Sequence, residues 1–481
     1  MKNKIIISIA VLLLILITLA TSYYGSIDIG DYSDTAKYFA GEYSAKIRSS
    51  HSYLFGFLHA PLLLAKSFIG FKIISLILLF LIIYSVYKIS NKNQKAFLLV
   101  LFSPIIWYMA PWINPIQLAS LILLWAYYFI NKYEEADKLK YLIYSGILIG
   151  VGWAFWNTLL YFGLFLAIAF LYNKKTIHAF YFAFFVFIGL IPRLILDQLL
   201  FNFAFYTVVK TTLSNLLATF LGGIYSDAGT SYKLISFLLV FLAIPIYFWR
   251  FYSKKLFKKN KKTMIFLTLS ILLILSNPQI RYTLTIVPVI ILIMVQKLDK
   301  LQFKKQLIIS AVILLLFINP YIIQISHNIN GKTFGIETTE FLRNINNLKF
   351  SPEFPSDLLE QDLAQISKDY PNQTFVVGNA PDEYQALAHF YWGANIKEFV
   401  SIQDYELFLK NESILFEKTF MPQPNINCRR QFWIAGGLKK NENDNTDYEG
   451  ITLAIGVREP IELDGFNLSK NYTILYLSEK K

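Results

Sequence analysis

Apolar runs close to 20 residues, the length that crosses a bilayer as a helix, follow one another from the N-terminus to about residue 325 and then stop. The pattern predicts membrane spans at roughly 4–24, 71–89, 95–111, 113–131, 140–156, 157–173, 177–196, 232–251, 263–277, 280–296 and 306–325, about eleven in all. The stretch 49–70 (SSHSYLFGFLHAPLLLAKSFIG) is apolar but punctuated by His, Pro and Gly, and reads as an interfacial or re-entrant helix. The first run is longer than the apolar core of an ordinary signal peptide and reads as a retained anchor.

Beyond residue 325 the period of the pattern changes. EFLRNINN, LLEQDLAQISKDY and PDEYQALAHFYWG read as helices, whereas TFVVG, FWIAGG, ITLAIGV and TILYL read as short strands. The predicted architecture is a polytopic α-helical membrane protein with a C-terminal α/β domain. The division is a transmembrane domain over 1–325, with an acidic first outer loop at 25–58, and an extracytoplasmic α/β domain over 326–481.

Charge turns this pattern into a topology. The chain carries a formal net charge of +13 with only 16% charged residues. Residues 1–325 hold 30 Lys and Arg against 10 acids, a balance of +20, and residues 326–481 a balance of −7. The basic residues lie between apolar runs rather than on one face, which excludes nucleic acid as a partner. One set of alternate loops holds 21 basic residues and the other 7. The rule that basic loops stay inside then makes the N-terminus cytoplasmic and, with an odd number of spans, puts the acidic C-terminal part outside. Sequons at Asn372, Asn411, Asn467 and Asn471 fit that side. Cys428 is the only cysteine, so neither a disulfide framework nor a Cys-based zinc site is available.

On this topology Asp28, Asp31, Asp34, Glu42, Asp197 and Asp227 face outward, and the first four share one loop, SIDIGDYSDTAKYFAGEY. A solvated loop is the plain reading. The chemical one is an acid cluster at the membrane surface: in a helical DYSDTAKYFAG, Asp31 and Asp34 face the same way. A carboxylate there suits a general base toward a hydroxyl, and a second one nearby raises its pKa toward neutrality. On the same side, within SNPQIRYTLTIVPVI, Arg281 stands at the outer end of a span, against the charge trend. Such an arginine calls for a partner, with phosphate the natural ligand and headgroup snorkelling the alternative. Arg193, after Pro192, is a second candidate of the same kind. Trp107, Tyr108, Trp112, Trp153 and Trp156 read as an interfacial belt, with sugar stacking as the other role. His51 and His59 flank the segment after the acidic loop; structural roles are favoured there. No metal ligand set is assigned, although a divalent cation is compatible with the acid pair.

These features carry a resemblance. The loop has the form D-x-x-x-Y-x-x-x-G, with Asp34, Tyr38 and Glu42, and Gly41 one place early. A His-Ala-Pro-Leu-Leu segment follows, and much later Arg281-Tyr282 opens a span with Pro288 six residues on. In this the chain resembles the GT-C glycosyltransferases, polytopic enzymes that use polyprenyl-phosphate or dolichyl-phosphate sugars, the mannosyltransferases among them. The resemblance implies a catalytic aspartate at Asp34 or Asp31, with Asp34 the better fit to Tyr38. It implies Arg281 and Tyr282, with Arg193 in support, at the donor phosphate, and the Pro-Leu segment at Pro61 and Leu62. Tyr38, Glu42, His51 and His59 complete the set as sugar or acceptor contacts. The implied partners are a polyprenyl-phosphate-linked sugar, a hydroxyl acceptor (lipid, glycan or protein) and the bilayer. The loop lacks the adjacent Asp-Glu pair of some branches, and the chain lacks a Trp-Trp-Asp-Tyr-Gly motif, which speaks against an oligosaccharyltransferase. Two other readings stay open: a transporter or flippase of a lipid-linked sugar, and a non-catalytic receptor with an outer binding domain. Acids outside the hydrocarbon and the lack of two-fold hydropathy symmetry weigh against the transporter.

Overall fold

The computed structural model describes residues 2–21, 28–41, 53–65, 69–172, 176–208, 230–251, 261–276 and 279–330, and seven strands beyond them. The chain divides into two compact units. One comprises Met1–Thr21, Ser67–Val208 and Ala228–Asn346; the other comprises Ser22–Lys66, Val209–Asp227 and Asn347–Lys481.

The first unit is helical. Helix α1 (Lys2–Ala20) exposes Ile5, Ile9, Leu12 and Leu16 on one side, a stripe suited to lipid rather than water. Lys72, three residues into α4 (Ile69–Ile89), is 1% exposed and reaches back to the C-terminal end of α1. Its Nζ donates to the Thr21 carbonyl and, at 3.4 Å, to Thr21 Oγ1. A cation at the carbonyl end of a helix offsets its unpaired acceptors and negative dipole. The helices predicted at 71–89, 113–131 and 140–156 form as α4, α7 (Ile116–Ala136) and α8 (Leu139–Phe155). The run at 95–111 is instead two helices, α5 (Gln94–Leu101) and α6 (Pro104–Tyr108). Pro104 forces Ser103 into an extended conformation (φ −70°, ψ 127°) and then serves as the first residue of the next helix.

Helices α7 and α8 form a hairpin closed at Asp137, whose left-handed φ of 51° ends α7. Helix α8 then packs along α10 (Thr176–Phe201), with α9 (Leu159–Tyr172) between them in sequence. The approach is close because Gly150 of α8 meets Gly189 of α10 and Gly146 lies against Phe182 and Phe185. A Cβ built on Gly150 would lie 2.1 Å from the Val186 carbonyl oxygen, and one on Gly189 2.4 Å from that of Ile147. Gly-x-x-x-Gly spacing gives this kind of backbone approach between membrane helices. The opposite side of α10 exposes Phe180, Phe184, Phe187, Ile191 and Ile195.

The remaining helices are α11 (Thr230–Ala243), α12 (Ile246–Phe251), α13 (Lys261–Ser276), α14 (Val287–Val295) and α15 (Lys300–Asn330). The run predicted at 232–251 thus breaks before Ile246, where Pro245 stands, and the one at 280–296 begins as a 3-10 turn, Ile280–Thr285. On the side of the basic loops, Lys262 of α13 donates to Glu134 at 2.6 Å and to Asn131 at 3.2 Å, both on α7. Among the described residues three helices are long and apolar enough to cross a membrane by themselves: Ile69–Ile89, Thr176–Leu199 and Lys300–Ile322.

In the second unit, α2 (Asp28–Phe39) packs on α3 (Tyr53–His59) and on the 3-10 turn Ala60–Ala65 that follows it. The strands are β1 (Phe375–Val377), β2 (Ile396–Glu398), β3 (Ile414–Lys418), β4 (Gly436–Lys440), β5 (Thr452–Ile455), β6 (Gly465–Ser469) and β7 (Tyr472–Leu477). Five form one mixed sheet in the order β2-β1-β5-β7-β6, with β2, β1 and β5 parallel; β3 and β4 pair separately as antiparallel strands. A parallel β1–β2 pair needs a long crossover. PDEYQALAHFYWG lies in that stretch; it and the other two helices expected after residue 325 fall outside the described residues.

Candidate functional site

The acidic loop is built on a helix pair. Tyr32, Thr35, Ala36 and Phe39 form the side of α2 that meets α3: Tyr32 stands edge-on to Phe55 at 5.1 Å and Phe39 to Phe57 at 5.2 Å between ring centres. Gly56 admits this contact, since a Cβ there would lie 2.6 Å from Thr35 Cβ. At 100° per residue, Asp31, Asp34 and Tyr38 fall three and four apart along another stripe of α2. Asp28, the first residue of the helix, falls nearer the packed side.

His59 ends α3, fully buried. Its Nδ1–H donates to the Phe55 carbonyl at 2.9 Å, and its ring stands against Phe55 at 4.5 Å. Burial pushes its pKa down to about 4 against the opposing pull of that hydrogen bond, so the ring is neutral. The unfolded chain titrates near 6.5. Between pH 6.5 and about 4 the unfolded state therefore holds the extra proton, and stability is lost as the pH falls through that window. The loss is of order 3 kcal/mol at its full extent, about 1.4 kcal/mol per unit. Thermal midpoints measured across that range should drop more steeply for wild type than for His59→Leu. Parallel curves would show that His59 is not a buried neutral ring.

The late Arg-Tyr pair sits in the first unit, on the 3-10 turn Ile280–Thr285. Ser120 of α7 anchors that turn by donating to the Leu284 carbonyl at 2.7 Å. Arg281 Nε donates to Gln279 Oε1 at 2.6 Å, and its Cζ lies over the rings of Trp112 (5.6 Å) and Tyr282 (5.4 Å). The two ring contacts are themselves supported. Trp112 Nε1 donates to the Tyr321 hydroxyl at 3.0 Å, which donates to the Tyr108 carbonyl at 2.6 Å. The Gln117 amide nitrogen donates to the carbonyls of Met109 and Trp112 at 3.2 and 2.8 Å, closing the turn that carries Trp112. Tyr282 meets Trp156 at 6.1 Å.

Trp156 follows α8, and the adjoining residues hold the second arginine. Arg193 of α10 is 0% exposed. Its Nη1 donates to the Trp153 carbonyl (2.8 Å) and to Asn157 Oδ1 (2.6 Å), and its Nε to Thr207 Oγ1 (3.0 Å). The Thr207 hydroxyl donates in turn to Asp197 Oδ2, which also accepts the Thr207 backbone N–H at 3.0 Å. Arg193 and Asp197, one turn apart, are thereby joined through the segment after α10 in a buried polar network of the kind that holds one conformation. Asp197, expected outside, is likewise 0% exposed.

The structure thus brings Arg281 and Tyr282 together with Trp112 and Trp156, and gives Arg193 a set of protein partners. The belt reading of the aromatics is corrected: Trp107, Tyr108, Trp112, Trp153 and Trp156 are all buried. Glu42 and His51 fall outside the described residues, as do the side chains of Asp31 and Asp34. Gln279 was visible in the sequence two places before Arg281, but nothing in spacing distinguishes it from any loop amide. Among the described residues no three of His, Cys, Asp and Glu converge as metal ligands.

Helices broken at prolines, a second unit holding both the first loop and a mixed sheet, and an arginine turn beside a late helix make up a polytopic helical fold that solved structures share. One solved structure with this fold is the crystal structure of ArnT from Cupriavidus metallidurans bound to undecaprenyl phosphate. The TM-score is 0.62 at 10% identity, over 99% of this chain and 98% of that one. The same protein in the apo state aligns over the same shares at a TM-score of 0.49. Neither a protein-family model nor a curated protein gives a sequence match.

Proposed function

We propose that the protein is a membrane glycosyltransferase that moves a sugar from a polyprenyl-phosphate-sugar donor to a hydroxyl acceptor on the outer or lumenal face, inverting the anomeric carbon. The observation that carries this reading is Arg281, fixed by two aromatic rings and an amide at the start of a late helix. A guanidinium so held suits a phosphate, and the fold is one in which ArnT was solved with undecaprenyl phosphate. Residues 1–325, with the loop 25–58, supply the donor and catalytic groups; residues 326–481 form an extracytoplasmic α/β domain.

In the proposed reaction the acceptor oxygen forms a bond to sugar C1 while the bond from C1 to the phosphate oxygen breaks. The electron pair leaves with the lipid phosphate. Asp34, or Asp31 one turn earlier, takes the hydroxyl proton. Arg281 and Tyr282 hold the phosphate and stabilise the charge that develops on it, an effect of about 3–4 kcal/mol per donor in well-studied sites. Arg193 acts from behind, keeping the Trp153–Asn157 turn under Tyr282 rather than touching the ligand. Tyr38, Glu42 and His51 flank the sugar or acceptor, and His59 holds α3 in place.

The test is transfer of labelled sugar from a polyprenyl-phosphate donor by purified protein. Arg281→Ala should cost about a hundredfold or more in kcat/KM. Undiminished transfer by that variant would remove Arg281 from the site. Movement of labelled lipid-linked sugar across liposomes without a new glycosidic bond would replace the enzyme by a transporter.

A further inference from the structure

We propose that α4, α7 and α8, at the end that carries the basic connections, form a binding surface for the headgroup of an anionic phospholipid. This surface is separate from the donor site. Ser120 holds the arginine turn near the start of α7, and Lys132 lies twelve residues later, about 18 Å along the helix.

Five rings run across the three helices there. Tyr128 and Phe129 follow Trp125 by three and four residues on one face of α7, with ring centres 5.5 and 5.8 Å from that of Trp125. Phe129 continues the run to Tyr141 at 6.2 Å and Tyr144 at 5.5 Å, both on α8. At the other end Trp125 Nε1 donates to Ser85 Oγ at 3.0 Å, which ties the run to α4. Each helix sets a lysine over these rings: Lys88 of α4 over Trp125 (5.8 Å), Lys132 of α7 over Tyr128 (5.9 Å) and Lys140 of α8 over Tyr141 (5.3 Å).

A π-face attracts an ammonium without neutralising it, so the rings place the three charges and leave them available. Lys132 shares its charge with Glu135 at 2.7 Å. Lys88 and Lys140 are exposed, and among the described residues no acid pairs with either. An anion is the complement of such a surface. The apolar surroundings say which kind. Ile73, Ile77, Leu81 and Tyr84 expose one stripe of α4 that leads into Lys88 at spacings of three and four. On α8, exposed Tyr144 follows Lys140 by one turn. A soluble anion meets only the lysines. A phospholipid meets both features, with its chains along the stripe and its phosphate at the lysines.

Lysines on this side also orient the chain, but any lysine near the membrane does that, ring or no ring. The two roles therefore separate by experiment. Full-length protein in detergent is titrated with phosphatidylglycerol, phosphatidylcholine or inorganic phosphate, and bound molecules are counted by native mass spectrometry. Wild type should prefer phosphatidylglycerol to phosphatidylcholine by about tenfold or more, and the triple variant Lys88→Gln, Lys132→Gln, Lys140→Gln should lose that preference. The matched control is Lys300→Gln, Lys304→Gln, Lys305→Gln. It removes equal charge from another of the basic connections, at exposed lysines that lie over no ring among the described residues, and should keep the preference. Equal losses in the two triple variants would show general attraction and overturn the site. So would the lack of a preference in wild type, its survival in the first variant, or inorganic phosphate binding as tightly as phosphatidylglycerol. Where the first variant does not fold, Lys88→Gln and Lys140→Gln are measured singly, and wild-type preference in both overturns the proposal equally.

Discussion

Asp34→Asn should abolish most sugar transfer, lowering kcat by about 10²–10⁴-fold, the contribution typical of a positioned general base. The substitution keeps size and hydrogen-bonding shape and removes only the capacity to take a proton. It falls on α2 away from the stripe that meets Phe55 and Phe57, so the helix pair should remain intact. Donor binding, which depends on the arginine turn, should change little. The effect belongs in kcat and in the acid limb of the pH–rate profile, which should disappear with the base. Asp31→Asn, one turn away, should be milder. The opposite ranking would move the base to Asp31. Full activity in both variants would leave the loop acids without a chemical role.

Gly150→Ala should be the most damaging single methyl in the membrane part. The atom that a Cβ would strike, 2.1 Å away, is the Val186 carbonyl oxygen of α10, and backbone cannot rotate aside as a side chain can. The two helices must separate along their contact, losing the packing that drives association where no water is expelled. A loss of about 3 kcal/mol or more follows from overpacking of this kind, seen as a lower thermal midpoint and lower yield in detergent. Gly163→Ala is the matched control: its clash at 2.6 Å is with a methyl group of Ile149, which can adjust, so its midpoint should fall less. Equal midpoints for the two variants would contradict the close crossing of α8 and α10.

Much of this was legible in the order of apolar and polar residues, and particular failures show where that reading stops. The helix at 28–39 lies where the sequence places it, because it depends on local spacing, whereas the span expected at 280–296 opens as a 3-10 turn over 280–285 before its helix begins. The break at Ser103–Pro104 was missed because the run stays apolar across it, and hydropathy registers composition rather than backbone continuity. The aromatics were assigned to an interfacial belt because a sequence shows depth along a helix and not which side faces protein. Trp112 is buried only because Tyr321, more than 200 residues later, comes to its indole nitrogen. Arg193 has the same origin: its partners Trp153, Asn157 and Thr207 come from two other segments. The strands at TFVVG, ITLAIGV and TILYL carry their apolar character openly, whereas β2, β3 and β6 are short and mixed in composition and give no such signal.

Lys72 bears on how the chain is made. A lysine in an apolar span costs up to about 2.5–3.5 kcal/mol at mid-membrane and less near an end, so α4 by itself enters the bilayer with a handicap. Hydrogen bonds to Thr21 offset part of it, and Thr21 directly follows the last residue of α1. Helix α1 is synthesised first and must still be at the insertion site, more than 40 residues later, when α4 arrives. Paired entry of the two helices would meet that cost, and the segment between them is the one that carries Asp31 and Asp34. By the order of synthesis, the segment that carries Asp31 and Asp34 is bounded by a helix at each end before the rest of the membrane part exists.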